Sequence, residues 1–151
     1  SHVTYFKNIF FIIDNLCEND LNNFLKTLDF YLCTSKCEDQ NFALQSAMYL
    51  GVVPISVNHS SMSDYIAKEN SFIIKSKAEV IDYTNYTNPS LWGSTWFSSN
   101  IFDISDAIIQ AYKTEESKLS IMKENISKKM DELFSDNAIL KKIYSVLKIK
   151  K

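Results

Sequence analysis

The chain has 151 residues, a formal charge of −2 and an apolar share of 46%. That length suits one domain with a real hydrophobic core. The slight acidity gives no electrostatic case for nucleic acid, so a nucleic-acid partner is not expected. There is no arginine, and the three cysteines are Cys17, Cys33 and Cys37. Cys33 and Cys37 are poorly spaced for zinc, and the only histidines are His2 and His59. Reduced, structural thiols in a cytoplasmic protein are the expectation.

Ile9–Ile13 is a short continuous apolar run, which reads as a fully buried strand. It is far too short to span a bilayer. Leu21, Phe24, Leu25 and Leu28 recur at helical spacing and predict an amphipathic helix against a sheet. Phe30–Cys33 reads as a second strand and residues 40–50 as a helix, with Ala43, Leu44, Ala47 and Met48 inward. Residues 52–57 read as a third strand, residues 63–68 as a short helix and Phe72–Ile74 as a fourth strand. This alternation predicts an α/β fold with a parallel sheet and right-handed crossovers. Residues 75–100 have no clear period. They hold a polar stretch around Asn85 and an aromatic one that includes Trp92 and Trp96. Those tryptophans either pack over a sugar or base, or plug the loop onto the core. Ile104, Ala107, Ile108, Ala111 and Tyr112 predict a helix, as do Leu119, Met122, Ile126 and Met130. Ser135 is a natural N-cap for a last helix through Ile139, Ile143 and Leu147. The lysine-rich end suits a helix carboxyl terminus, or peripheral contact with anionic lipid on an inner membrane face.

The stretch from Asp29 to Ile74 resembles the donor-binding half of GT-B glycosyltransferases, in the retaining group with a Glu-x7-Glu motif. Asp29 to Ser35 match its first strand and Glu38 its first motif glutamate. Ser46-Ala47-Met48-Tyr49-Leu50-Gly51 match its helix and Pro54-Ile55 its next strand. Ser60, Ser61 and Asp64 stand near its Gly-Gly-x-x-Glu segment. The second motif glutamate is replaced by Ser46. The resemblance implies a Rossmann-like parallel sheet of about four strands flanked by helices, with C-terminal helices, over residues 1–151.

It further implies that Glu38 contacts hydroxyls of a donor sugar. Backbone N–H groups of Asn41, Phe42, Ala43 and Leu44 would hold the diphosphate, as helix amino ends do. Ser46 would stand at the ribose, with Gln45 as a substitute. A nucleotide-sugar is then the substrate, and no metal or other cofactor is expected. His59 lies on the same edge and reads as an exposed loop histidine. The family's donor half begins with two further strand–helix units, and an acceptor domain precedes it. The chain is therefore expected to be a truncated domain that needs that acceptor domain, a partner chain or a homo-oligomer, and to be inactive alone. The alternative is a degenerate, non-catalytic module that binds a protein partner.

Overall fold

The computed structural model describes residues 2–13 and 16–147. The fold is α/β, with a three-stranded parallel sheet flanked by helices and a helical C-terminal third. The sheet consists of β3 (Phe30–Cys33), β4 (Val53–Val57) and β5 (Phe72–Ile74) in the order β3-β4-β5. Before it come a hairpin of β1 (His2–Phe6) and β2 (Ile9–Ile13), and α1 (Glu18–Leu25). Between β3 and β4 runs α2 (Phe42–Tyr49). After β5 come a second antiparallel pair, β6 (Lys77–Val80) and β7 (Thr95–Ser98), then α3 (Ile101–Tyr112), α4 (Glu116–Phe134) and α5 (Asp136–Leu147).

The core is built on β4, all five of whose residues are buried. Leu44 and Met48 of α2 and Met122, Ile126 and Met130 of α4 meet Val53, Ile55 and Val57 of the strand. Ala47 lets α2 approach closely and packs with Leu25 of α1 and Val52. Helix α2 stops at Gly51, whose φ of 81° is cheap only for glycine. The N–H groups of Gly51 and Val52 donate to the carbonyls of Met48 and Ala47 at 2.9 and 3.0 Å. That Schellman pattern satisfies the last carbonyls and turns the chain straight into β4. At the other hinge, the Ser135 hydroxyl accepts the Ala138 N–H at 3.3 Å and caps α5 as expected.

Three expectations need correction. Ile9–Ile13 is a strand, but it pairs antiparallel with β1 through a two-residue turn, with Phe6 opposite Ile9. Its residues Ile9 to Ile12 are exposed. A local hairpin satisfies this backbone without the long crossover that a place in the parallel sheet requires. Among the described residues the sheet therefore has three strands rather than about four, and β3 pairs on one side only. Ala43 is exposed, because the first turn of α2 stands clear of the sheet. Residues 63–68 hold no α-helix; a 3₁₀ turn at Ser60–Asp64 takes that place.

Among the described residues no helix is long and apolar enough to cross a membrane. The side-chain amides of Asn58, Asn85 and Asn125, which begin glycosylation-like triplets, donate to the carbonyls of Ile66, Val80 and Glu69.

Candidate functional site at the carboxyl edge of the sheet

Parallel strands align their carboxyl ends on one edge, and the loops leaving that edge are where α/β folds place ligand chemistry. Cys33 and Ser56 are register partners, as are Val57 and Ile74. The loops after β3 and β4 therefore emerge side by side.

Asn41 organises the first loop. It is the N-cap of α2, and its Oδ1 accepts the Leu44 N–H at 3.0 Å. Its Nδ2 donates to Cys33 Sγ at 3.3 Å and reaches Glu38 Oε1 at 3.5 Å. One buried side chain thus ties the end of β3, the loop acid and the start of the helix. The Glu38 carbonyl accepts the Ser61 N–H at 3.4 Å, which joins this loop to the one after β4. Glu38 is half-buried.

The expected phosphate-holding residues divide by what their backbone does. Leu44 gives its N–H to the cap, and Gln45 gives its own to the Asn41 carbonyl at 3.0 Å. Phe42 and Ala43 are exposed first-turn residues whose N–H groups have no intrahelical acceptor. These two amides are the ones that the cap and the helix leave uncommitted. Asn41 acts through its side chain as the cap. The structure does not bring Ser46 to this cluster. Ser46 lines a separate groove with Glu18 and Asn22 of α1, Tyr49 of α2 and Phe134 of α4.

The loop after β4 carries Ser60 at φ 52°. A residue other than glycine there is strained, and such positions gather at functional sites. The resemblance puts a glycine of Gly-Gly-x-x-Glu near this position. Here the left-handed conformation is held by a serine. His59 Nδ1 lies 3.2 Å from Ser60 Oγ, and that hydroxyl donates to Cys37 Sγ at 3.7 Å.

His59 is only 5% exposed, where the sequence suggested an exposed loop histidine. Its ring stacks on Phe97 of β7 at 4.3 Å between centroids and 11° between planes. Its Nε2 is buried without a hydrogen-bond partner among the described residues. Burial holds its pKa below the usual histidine value, so the ring is neutral at physiological pH.

Two tyrosines close the inner side. Burial is the main reason that the pKa values of Tyr31 and Tyr65 are raised, and the charges of Cys33 and Glu38 add to it. Both stay protonated at physiological pH. Tyr65 is fully buried and its hydroxyl has no formed hydrogen bond among the described residues; Gln45 and Ser61 are its polar neighbours.

The aromatic segment straps itself onto this edge. The Phe97 N–H donates to the Lys36 carbonyl at 2.9 Å, and Lys36 Nζ sits 3.7 Å from the centroid of the Trp96 ring. Trp96 Nε1 donates to Glu79 Oε2 at 2.8 Å, and the Ser98 hydroxyl donates to the same oxygen. Those bonds, Ser98 first, hold the Glu79 carboxyl below its usual range. Trp92 is held by the Tyr86 carbonyl at 2.9 Å. Trp96 thus fixes the hairpin to the loop after β3, and Lys36, the cation of that loop, faces Trp96.

Sequence reasoning missed Asn41 as the cap, the burial of His59 and the β6–β7 pair. The cap had a local signal, a polar residue three positions before an inward leucine. The His59–Phe97 stack had none, since its partners lie far apart in sequence.

Among the described residues no group of three or more His, Cys, Asp and Glu side chains could hold a metal ion. No protein-family model matches this chain, and no curated protein is significantly similar to it.

Proposed function

We propose that this chain is the donor-binding part of a retaining, nucleotide-sugar-dependent glycosyltransferase of the GT-B fold. One observation carries the reading. Glu38, the amino end of α2 and the left-handed Ser60 are bonded into one cluster on the carboxyl edge of a parallel sheet. In this reading the Phe42 and Ala43 amides hold the diphosphate, which carries the charge that develops on the leaving group. Glu38 accepts hydrogen bonds from sugar hydroxyls and orients the anomeric carbon. Tyr31 and Tyr65, kept neutral, add no second negative charge next to the phosphates. The acceptor comes from another domain or chain.

A second reading is a degenerate module that binds a protein partner and no nucleotide-sugar. It is favoured by the position of β7, whose Phe97 covers His59 on the ligand edge, and by Ser46, which faces a different groove.

Ligand-observed NMR with UDP, GDP, ADP and their sugar conjugates separates the two. The first reading expects one conjugate to bind and Glu38→Ala to weaken it by tenfold or more, since a hydrogen bond to a charged group is worth about 1.5–3 kcal/mol. Failure of every conjugate to bind the folded chain supports the degenerate module.

A further inference from the structure

Helix α3 is apolar over far more of its circumference than the fold covers. Ala107 and Ala111 are buried, with Ile104 packed against the core, and these seat it on β5 and β4. On the outward side Ile101, Phe102 and Tyr112 are 69, 78 and 86% exposed. Ile108 and Ile109 are exposed there too. Ile101, Phe102, Ser105, Ile108, Ile109 and Tyr112 form one stripe at i, i+1, i+4, i+7, i+8 and i+11. Scattered surface hydrophobics are ordinary, but a contiguous stripe of this kind marks an interaction surface.

Beside the stripe lies an open groove of about 830 Å³. Its floor is Phe72, Ile73 and Met122, and Ile109 belongs to both groove and stripe. Lys68, Lys75, Lys113 and Lys118 converge on it, and none of its lining residues is acidic. That clustering is unusual in a chain with more acidic than basic residues. Glu69 and Glu115, which stand close to Lys68 and Lys113 in sequence, are exposed acids outside the groove lining, and other nearby acids have partners of their own. Asp103 is bonded to its own N-cap Asn100, Glu79 is held by Trp96 and Ser98, and Glu116 faces Lys123 at 4.0 Å. Asp106 is the remaining exposed acid of α3.

We propose that α3 and the lysine groove form a docking face for an anionic lipid surface. The stripe supplies the apolar side chains that enter the headgroup boundary, and the lysines beside it meet lipid phosphates. Charge favours lipid over a second copy of the chain. A two-fold interface places the same patch on both sides, so it sets two lysine rows against each other. An anionic bilayer neutralises them. The face lies on different residues from the Glu38 cluster and does not depend on the glycosyltransferase reading.

The test is co-sedimentation of the full chain with vesicles of phosphatidylcholine alone, or with a third of the lipid as phosphatidylglycerol. The expected result is partition onto the anionic vesicles only, reduced by high salt. Lys113→Gln with Lys118→Gln lowers it about fivefold per lysine removed. Phe102→Ser also lowers it, at unchanged helix content by circular dichroism. Lys141→Gln with Lys142→Gln, which alters the lysines of α5, leaves it unchanged. The proposal is overturned by no vesicle binding, by equal binding to neutral vesicles, by loss only with the α5 pair, or by a dimer in solution that Phe102→Ser dissociates. Binding of inorganic phosphate without vesicle binding also overturns it, and assigns the groove to a free anion.

Discussion

Leu44→Ala is expected to destabilise the chain by about 2–5 kcal/mol, the usual range for deleting a buried leucine side chain. Leu44 is fully buried, and it joins α2 to β4 and α4 in the main core cluster. Total stabilities of domains are about 5–15 kcal/mol, so this one substitution removes a large share. In urea the midpoint falls with little change in slope, as for a loss of packing without a change in the surface exposed. Leu44→Met, which nearly conserves volume, costs less than about 1.5 kcal/mol. The effect reaches the site because the same residue gives its N–H to Asn41. A cost for alanine as small as that for methionine would mean that α2 is not anchored through this side chain, and that the edge it positions is loosely held.

Asn41→Ala is expected to cost about 1–2 kcal/mol through the lost cap. At this chain length that lowers the melting temperature by about 2–8 °C. The substitution leaves the Leu44 N–H buried without an acceptor and frees Cys33 Sγ and Glu38 from their shared contact. Asn41→Asp keeps a cap acceptor but loses the Nδ2 donor and adds a carboxylate 3 residues from Glu38. Its melting temperature should therefore fall between those of the wild type and the alanine variant. If aspartate proves worse than alanine, repulsion at Glu38 outweighs the cap, and Glu38 sits in a stronger negative field than its hydrogen bonds imply.

Much of the architecture around β4 was legible in the sequence. Ala47 and Met48 show one inward face of α2, Gly51 marks its end, and the apolar run of β4 follows directly. Helices α3 and α4 announce themselves through Ala107 and Ala111, and through Met122, Ile126 and Met130, at helical spacing. The elements that escaped depend on pairing between distant segments. Lys77–Val80 is too short and too polar to read as a strand until Thr95–Ser98 lies beside it. Ile9–Ile13 shows a strand by composition, but composition does not name its partner.

The candidate site divides in the same way. Glu38 and the start of α2 follow from local order along the chain, and the structure bonds them together. The place of Ser46 depends on where the helix begins. With Asn41 as the cap, residue 46 lies more than a full turn inside α2 and turns toward α1 and α4. His59 looked like an exposed loop residue because nothing beside it in sequence predicts Phe97 above its ring.

The most direct test of the Glu38 cluster as a donor site is residue-resolved amide NMR of the chain during titration with nucleotide-sugars. Saturable shifts are predicted at the Phe42 and Ala43 amides and at residues 37–39 and 60–61, with smaller changes at the capped Leu44 amide. Glu38→Ala should weaken that titration and leave the rest of the spectrum in place. Saturable shifts confined to the Ser46 groove or to α3, with Phe42 and Ala43 unmoved, would contradict the account.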